Sequence, residues 1–407
     1  MLVVVGLGIL ALGLALAVPL LAKSRSTTRY VSTSGSDAGS CTSADKPCRS
    51  LDYAYDQARA RDVVKVAAGS YGSQRVSGMK SRPGVLFRLA RGAHLRRLNV
   101  EATWVEFRGG RIDGYGWWTE ARDPVPSNVR FRNVRAKSVA MNGGRNISVI
   151  GGSIGAYTAP AGKSAAVLLY GEVAELSNVR FDGVTFHDIT HADPDDHFEA
   201  IRIDNGAHDI AIRRSRFRNI TANTSIIFLT NTYFEPGDPY NFKLENNFFD
   251  EPRRGPGGDA FYVFNMHDGV QTCRNFAFRY NSFASPPAIL ACASKSNVSW
   301  IGNVGPKGSE CEGNVFSHNV WLSRHRSARC SSTDTWVPGD ESSAAGLRYV
   351  NPSAGDLHLR ADSPAKDAGD LNVHPPTDID CGKRRSGTAP DAGADEYGQR
   401  RETCKRG

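Results

Sequence analysis

NVRFDGVTF, residues 178 to 186, and DIAIRRSRF, residues 209 to 217, are one nonapeptide written twice. Each opens on Asn or Asp and then alternates apolar with polar side chains, the period of a half-buried β-strand. The pattern starts again at Asn128 (NVRFRNVRA), Asn146 (NISVIGGSI), Asn241 (NFKLENNFF) and Asn275 (NFAFRYNSF), with degenerate copies at Asn297 and Asn314. Start-to-start intervals run from 17 to 34 residues. Strands recurring at that spacing describe a solenoid whose coils share their strands and differ in their loops. A chain of 407 residues then forms one elongated body, because a stack of coils escapes the surface-to-volume limit on a single core.

A second strand series lies between the nonapeptides. AAVLLY (165–170), EAIRID (199–204), SIIFLT (225–230) and DAFYVF (259–264) align without gaps, and the last three are each followed by an asparagine: Asn205, Asn231 and Asn265. Stacked one coil apart, these asparagines are expected to form a hydrogen-bonded column at a turn. Alternation points Ile201, Ile203, Ile227, Leu229, Phe261 and Val263 inward. It points Arg202 and Asp204 outward, with Leu168 and Tyr170 before them and Phe228, Thr230, Tyr262 and Phe264 after.

The repeated strand–turn–strand segments with Asn-marked corners resemble the right-handed parallel β-helix of the pectate-lyase-like superfamily, in its exported bacterial form. YVSTSGSDAGSCTSADKPCRSLDYAYDQARARDVVKVAAGSYG (30–72) is similar to the opening segment of such proteins. DLHLRADSPAKDAGD (356–370) and TDIDCGKRRSGTAPDAGADEYG (377–398) are similar to the closing segment. The resemblance implies an all-β fold: an opening cap segment over 23–97, the β-helix over 98–325 and an irregular C-terminal cap over 326–407. It identifies architecture rather than chemistry, since the superfamily holds lyases, hydrolases and adhesins.

The two ends of a β-helix expose unpaired strand edges and need covering. Leu51, Ala54, Tyr55 and Ala58 follow Ser50 at helical spacing, which predicts a short N-capped helix laid over the first coil. The eight cysteines form no C-x-x-C pair and read as disulfides. Spacing favours Cys41 with Cys48, Cys273 with Cys292 and Cys311 with Cys330, which leaves Cys381 with Cys404. Residues 2–22 are apolar and uncharged, followed by the basic stretch KSRSTTR (23–29), so residues 1–22 read as a signal peptide or an N-terminal membrane anchor. Both readings place the body outside the cytoplasm, secreted or held at the cell surface.

The net charge is +8 and the isoelectric point about 9.1, which suits an acidic partner. For an exported monomer that partner is an acidic polysaccharide or cell-wall glycan rather than a nucleic acid, and a membrane is met only through the N-terminal segment. The loop HADPDDHFE (191–199) delivers the chain into the strand that carries Arg202. Asp193, Asp195, Asp196, Glu199 and Asp204 supply the hard oxygen ligands a calcium ion takes. Resembled lyases use Arg or Lys as base beside acidic calcium ligands, which gives Arg202 the role of base or carboxylate clamp. Glu199 and Asp259, at equivalent strand positions two coils apart, are the carboxylate pair a glycosidase needs. His197 and His267 are accessory candidates. Tyr170, Asp204, Phe228, Tyr262, Phe264 and His267 form the expected substrate surface, since rings in a row beside Arg suit a charged sugar. The expected activity is a polysaccharide lyase acting on uronates, ahead of a glycoside hydrolase, with a noncatalytic carbohydrate-binding or adhesin-type protein as the alternative.

Overall fold

A computed structural model describes residues 26–118, 125–193, 198–222, 225–231, 237–250, 253–254, 262–266, 272–290, 292–306, 311–323, 330–340, 344–399 and 404. Strands pair in parallel along the whole stack into one continuous 29-stranded sheet, wound as a right-handed parallel β-helix. The stacking starts before residue 98, because Thr28–Val31 already pairs in parallel with Val63–Val66.

Each full coil contributes three strands. The nonapeptides open the first sheet, as in Leu176–Asp182, His208–Arg213 and Tyr240–Glu245. The second sheet follows after a two-residue turn, as in Thr185–His191 and Arg216–Ala222. The third holds Ala165–Tyr170, Glu199–Asp204, Ser225–Thr230 and Tyr262–Met266. Inward side chains stack coil upon coil. Tyr55, Phe87, Phe107 and Phe131 form one ring column at 6.3, 5.1 and 5.3 Å, and Phe186, Phe217, Phe249 and Phe283 another at 4.5, 4.5 and 5.3 Å. Rings in offset stacks of this kind add to the burial that drives the fold.

Third-sheet register agrees with the sequence for three strands and departs from it at the fourth. Val167, Ile201 and Ile227 align, as do Leu168, Arg202 and Phe228, and the four isoleucine and leucine positions 201, 203, 227 and 229 are buried. Beyond them Tyr262 lies opposite Ser225, Phe264 opposite Ile227 and Asn265 opposite Phe228. This is a slip of three residues from the gapless alignment, and an odd slip exchanges the two faces. Tyr262 and Phe264 therefore do not share the register positions of Phe228 and Thr230, and Leu229 faces Met266 rather than Val263. The cause is visible in Ser225–Thr230, where all six residues are buried and alternation has nothing to fix it. Phe261 lies outside the described residues.

The expected column of Asn205, Asn231 and Asn265 does not form, because Asn265 sits mid-strand and the Asn231 amide donates to Asp238 at 3.2 Å. Two other columns do. At the corner entering the first sheet the nonapeptide's own first residues join amide to carbonyl. Asn146 donates to Asn128 and Asn178 to Asn146, and farther along Asn241 donates to Asp209, Asn275 to Asn241 and Asn297 to Asn275, at 2.7–3.2 Å. At the corner leaving it, Asn247, Asn281, Asn303 and Asn319 are fully buried. There Asn247 Oδ1 accepts the Ser215 main-chain N–H, and each following Oδ1 accepts both the main-chain N–H and the side-chain amide of the asparagine one coil before, as Asn281 Oδ1 does from Asn247 at 3.1 and 3.0 Å. Asp334 ends this buried column, accepting from Asn319 and from Trp321 Nε1.

The ends are covered as expected. The helix Leu51–Gln57 is capped by Ser50, whose hydroxyl accepts from the Tyr53 N–H, and it buries Leu51, Ala54 and Tyr55 on the first coil. All four disulfides pair as expected, three from spacing and Cys381 with Cys404 as the pair that remained. The short helix Ala344–Leu347 packs on the last strands. The closing segment also does something the sequence reading did not anticipate. It turns back along the buried-asparagine corner and clasps one coil after another. Arg214 reaches the Cys381 sulphur, Asn246 donates to Thr377 O, and Tyr280 bonds Asp370. Gly393 N donates to Gly302 O at 2.6 Å. Buried Arg384 lies over the Tyr280 ring and binds Asn246 Oδ1 and three main-chain carbonyls.

Candidate functional site

The outward column of the third sheet runs through Gly116, Ala140, Leu168, Arg202 and Phe228 in register. Its two halves differ. At the Arg202 end the guanidinium rests on Asp204 Oδ2 at 3.1 and 3.3 Å and lies 5.7 Å from the centre of the Phe228 ring. Asp204, Glu199 and Phe228 are buried. Outward direction in the strand therefore does not mean exposure here, and the expected display of Asp204 and Phe228 to solvent is corrected. Glu199 and Asp204 occupy opposite ends of one strand, roughly 16 Å apart over five residues. They cannot hold one ion between them.

Among the described residues no three His, Cys, Asp or Glu groups converge, and the Asp204 carboxylate is engaged by Arg202. Asp193 makes main-chain contacts with the His191 ring. The described donors do not fit a calcium cage. Asp195, Asp196, His197, Asp259 and His267 lie outside the described residues. The slipped register also removes the strand equivalence of Asp259 with Glu199.

At the other end the column opens into a cleft of about 480 Å³. Its floor is made of small residues brought together by register: Gly114 beside Ser138, and Gly116 beside Ala140. Gly116 is required, for it has φ +146° and a Cβ there would meet Ala140 O at 1.7 Å. The walls are aromatic and cationic. Trp117 turns inward and anchors its indole N–H on Gly143 O at 2.6 Å, which leaves its neighbour Trp118 outward and 53% exposed. Trp118 is tilted against Tyr170 at 5.5 Å between ring centres, so one sequence-predicted residue, Tyr170, belongs to this cleft's rim. Arg96, Arg97, Lys137 and Lys163 supply positive charge around it. Among the described residues Asp113 is the one carboxylate lining the cleft, and Arg111, His94 and Lys137 all reach it. Burial alone raises its pKa, but the hydrogen bonds from Arg111 and His94 and the Arg111 and Lys137 charges more than offset that. It is thus held below the usual carboxylate range, an anion already neutralised by its neighbours.

A larger cleft of about 530 Å³ lies at the corner entering the first sheet, around His208, Tyr240 and Arg274. It is the weaker candidate. Tyr240 has His208 stacked on it at 4.3 Å and Arg274 over it at 4.2 Å, so its ring faces are spent inside the protein. Its rim carries Glu172, Glu175 and Asp238, the wrong sign for an acidic ligand.

The Trp118 cleft was missed from sequence, although GYGWW (114–118) carries its signal: small residues alternating on one face of a strand and ending in two tryptophans.

No family model matches the chain and no curated protein matches it. Solved structures resemble it, two of them as follows. One is pectate lyase Pel9A, at 13% identity and a TM-score of 0.49, covering 91% of this chain and 96% of that one. The other is the PL6 family alginate lyase AlyGC, at 12% identity and a TM-score of 0.34, covering 83% of this chain and 59% of that one. At such identities the likeness is one of fold alone.

Proposed function

We propose that the protein binds an acidic polysaccharide in the Trp118 cleft and along the third-sheet face toward Tyr170, as an exported or surface-held protein. The observation that carries this reading is the combination in one cleft of an exposed indole, a floor of small residues and a cationic rim. A sugar ring stacks its C–H face on an aromatic side chain, and uronate carboxylates pair with Arg and Lys. Small residues on the floor let a bulky ring approach the backbone. The four disulfides fit an oxidising compartment, where such polymers are met.

Cleavage by elimination is the chemistry this arrangement offers beyond binding. Cations that hold a uronate carboxylate stabilise the charge that develops when the neighbouring C–H proton passes to a base, as the C–O bond to the next sugar breaks, a C=C double bond forms and the departing oxygen takes up a proton; Lys137 and Lys163 are the cleft side chains at hand for these proton transfers. The second reading, a noncatalytic binding protein, is favoured by the Arg202 end, where the guanidinium is neutralised by Asp204 and Glu199 is buried. Incubation with polygalacturonate, alginate and glycosaminoglycans separates the two. An unsaturated product absorbing in the near ultraviolet establishes the lyase, and binding without product establishes the second reading. Trp118→Ala is expected to weaken binding roughly tenfold, about 1.4 kcal/mol, without changing the fold. Unchanged affinity in that variant removes the cleft from the proposal.

A further inference from the structure

The first sheet presents an outer face with a charge pattern of its own. In one outward column Lys65, Arg88, Arg108 and Arg132 follow in consecutive coils, one cation per rung, and Arg213 and Arg279 continue it farther along. The neighbouring column adds Arg130, Arg180 and Lys243. Against these the two columns set three acids, Glu106, Asp182 and Glu245. The acids are oversubscribed. Arg108, Arg130 and Arg132 share Glu106, while Arg180 and Arg214 share Asp182. Beside Arg130 and Arg180 the face sinks into a cleft of about 350 Å³, floored by Ser148 and edged by Trp104 and the amides of Asn128, Asn146 and Asn178.

We infer that this face is a second polyanion site, a track on which a linear acidic glycan lies along the solenoid axis, one anionic group to each coil. Parallel strands repeat every ~4.8 Å, a spacing of the same order as the length of one sugar unit. A polymer with one carboxylate per sugar therefore meets the cations in step. The crowding of like charge points the same way. Burial and the neighbouring cations Arg213, Arg214 and Arg130 press the Arg180 guanidinium below its ordinary pKa, and a bound anion relieves that repulsion. A flat membrane surface accounts for positive charge but not for a groove with hydrogen-bonding amides along its edge. The inference rests on the same ligand class as the Trp118 cleft but on a different sheet. With both faces loaded, one protein holds two polymer segments, so it stays attached to a matrix while the cleft engages another chain.

The test uses the full-length protein and polygalacturonate of two lengths, a short oligomer and a long polymer, by calorimetry across a salt series. Lys65→Gln with Arg88→Gln and Arg130→Gln removes charge from half-exposed and exposed positions and is expected to weaken polymer binding at least tenfold and flatten its salt dependence. Oligomer binding in the Trp118 cleft is expected to stay as in the wild type. Lys65→Arg with Arg88→Lys and Arg130→Lys, which keeps all three charges, is expected to keep polymer affinity near that of the wild type. Polymer affinity equal to wild type in the triple variant overturns the inference. So does loss of binding only to anionic phosphatidylglycerol vesicles or to single-stranded nucleic acid. Trp118→Ala serves as the separating control: loss of oligomer binding there, with polymer binding retained by the track, leaves both sites standing, and no loss in it defeats the cleft without touching the track.

Discussion

At the solvent-facing corner the column residue itself holds the left-handed turn: Asn128, Asn146, Asn178, Asp209, Asn241, Asn275 and Asn297 all have φ between +52° and +60°. At the buried corner the turn is held by the residue before the column, which is Arg214, Asn246, Tyr280, Gly302 and His318 in successive coils. One column is therefore selected for backbone conformation, where Asn and Asp serve equally because their short polar side chains tolerate that region. The other is selected for hydrogen bonding, since each buried amide and carbonyl needs its partner. Freed from the column, the turn residues of the buried corner diversified, and the closing segment docks on them.

The largest effect expected from this difference is at Asn281. Replacing it by Ala removes the acceptor of the Asn247 main-chain N–H, one of the two hydrogen bonds of the Asn247 amide, which keeps Ile212 O, and the amide donor to Leu244 O, each worth about 1–3 kcal/mol when buried. A loss of at least about 3 kcal/mol in urea denaturation is expected, and Asn281→Gly should not recover it. At the exposed corner the order reverses. Asn241→Ala should cost about 1–2 kcal/mol for the strained φ of +53°, and Asn241→Gly clearly less. Equal losses for Ala and Gly at position 241 would collapse the distinction between the two corners.

Two pH effects are smaller. His358, in the clasp, lies between Asp356 and Asp380. Burial lowers its pKa, but the Asp380, Asp395 and Asp356 carboxylates more than compensate and hold it above 6.5. Its stabilisation is thus complete below pH 6.5 and lost as pH rises through the folded value, and His358→Ala should remove that slope from the melting temperature. Asp334 gives the weakest signal. Burial raises its pKa above 3.8, despite the hydrogen bonds from Asn319 and Trp321. Its contribution is complete below 3.8 and declines as pH climbs through the folded value. Asp334→Asn keeps the acceptor for Asn319 and should flatten that decline, with a pH-independent offset from the altered Trp321 contact. An unchanged slope would mean that the buried column ends elsewhere.

The nonapeptide was legible because its strands bury one face, which fixes both the coil and the register from Val179 to Leu244. The capping helix and the disulfides were legible because each is local in sequence or one coil long. The register at Tyr262 was not, since a strand buried on both faces carries no alternation. Burial of Asp204 was not, because direction out of a strand says nothing of what lies above it. The Trp118 cleft was hidden for a third reason. Gly116, Ala140 and Leu168 become neighbours only through stacking of coils of unequal length, so no fixed period marks them.

The clasp sets an order on the making of the molecule. The coils around Arg214, Asn246, Tyr280 and Gly302 are synthesised well before residues 370–396, which clasp them. A nascent chain can stack its early coils as they emerge, from the Ser50-capped helix onward, yet that whole flank stays open until the closing segment arrives to cover it. A chain cut short before residue 370 keeps its strands and loses its seam, so a protease would read truncated copies by their open edge.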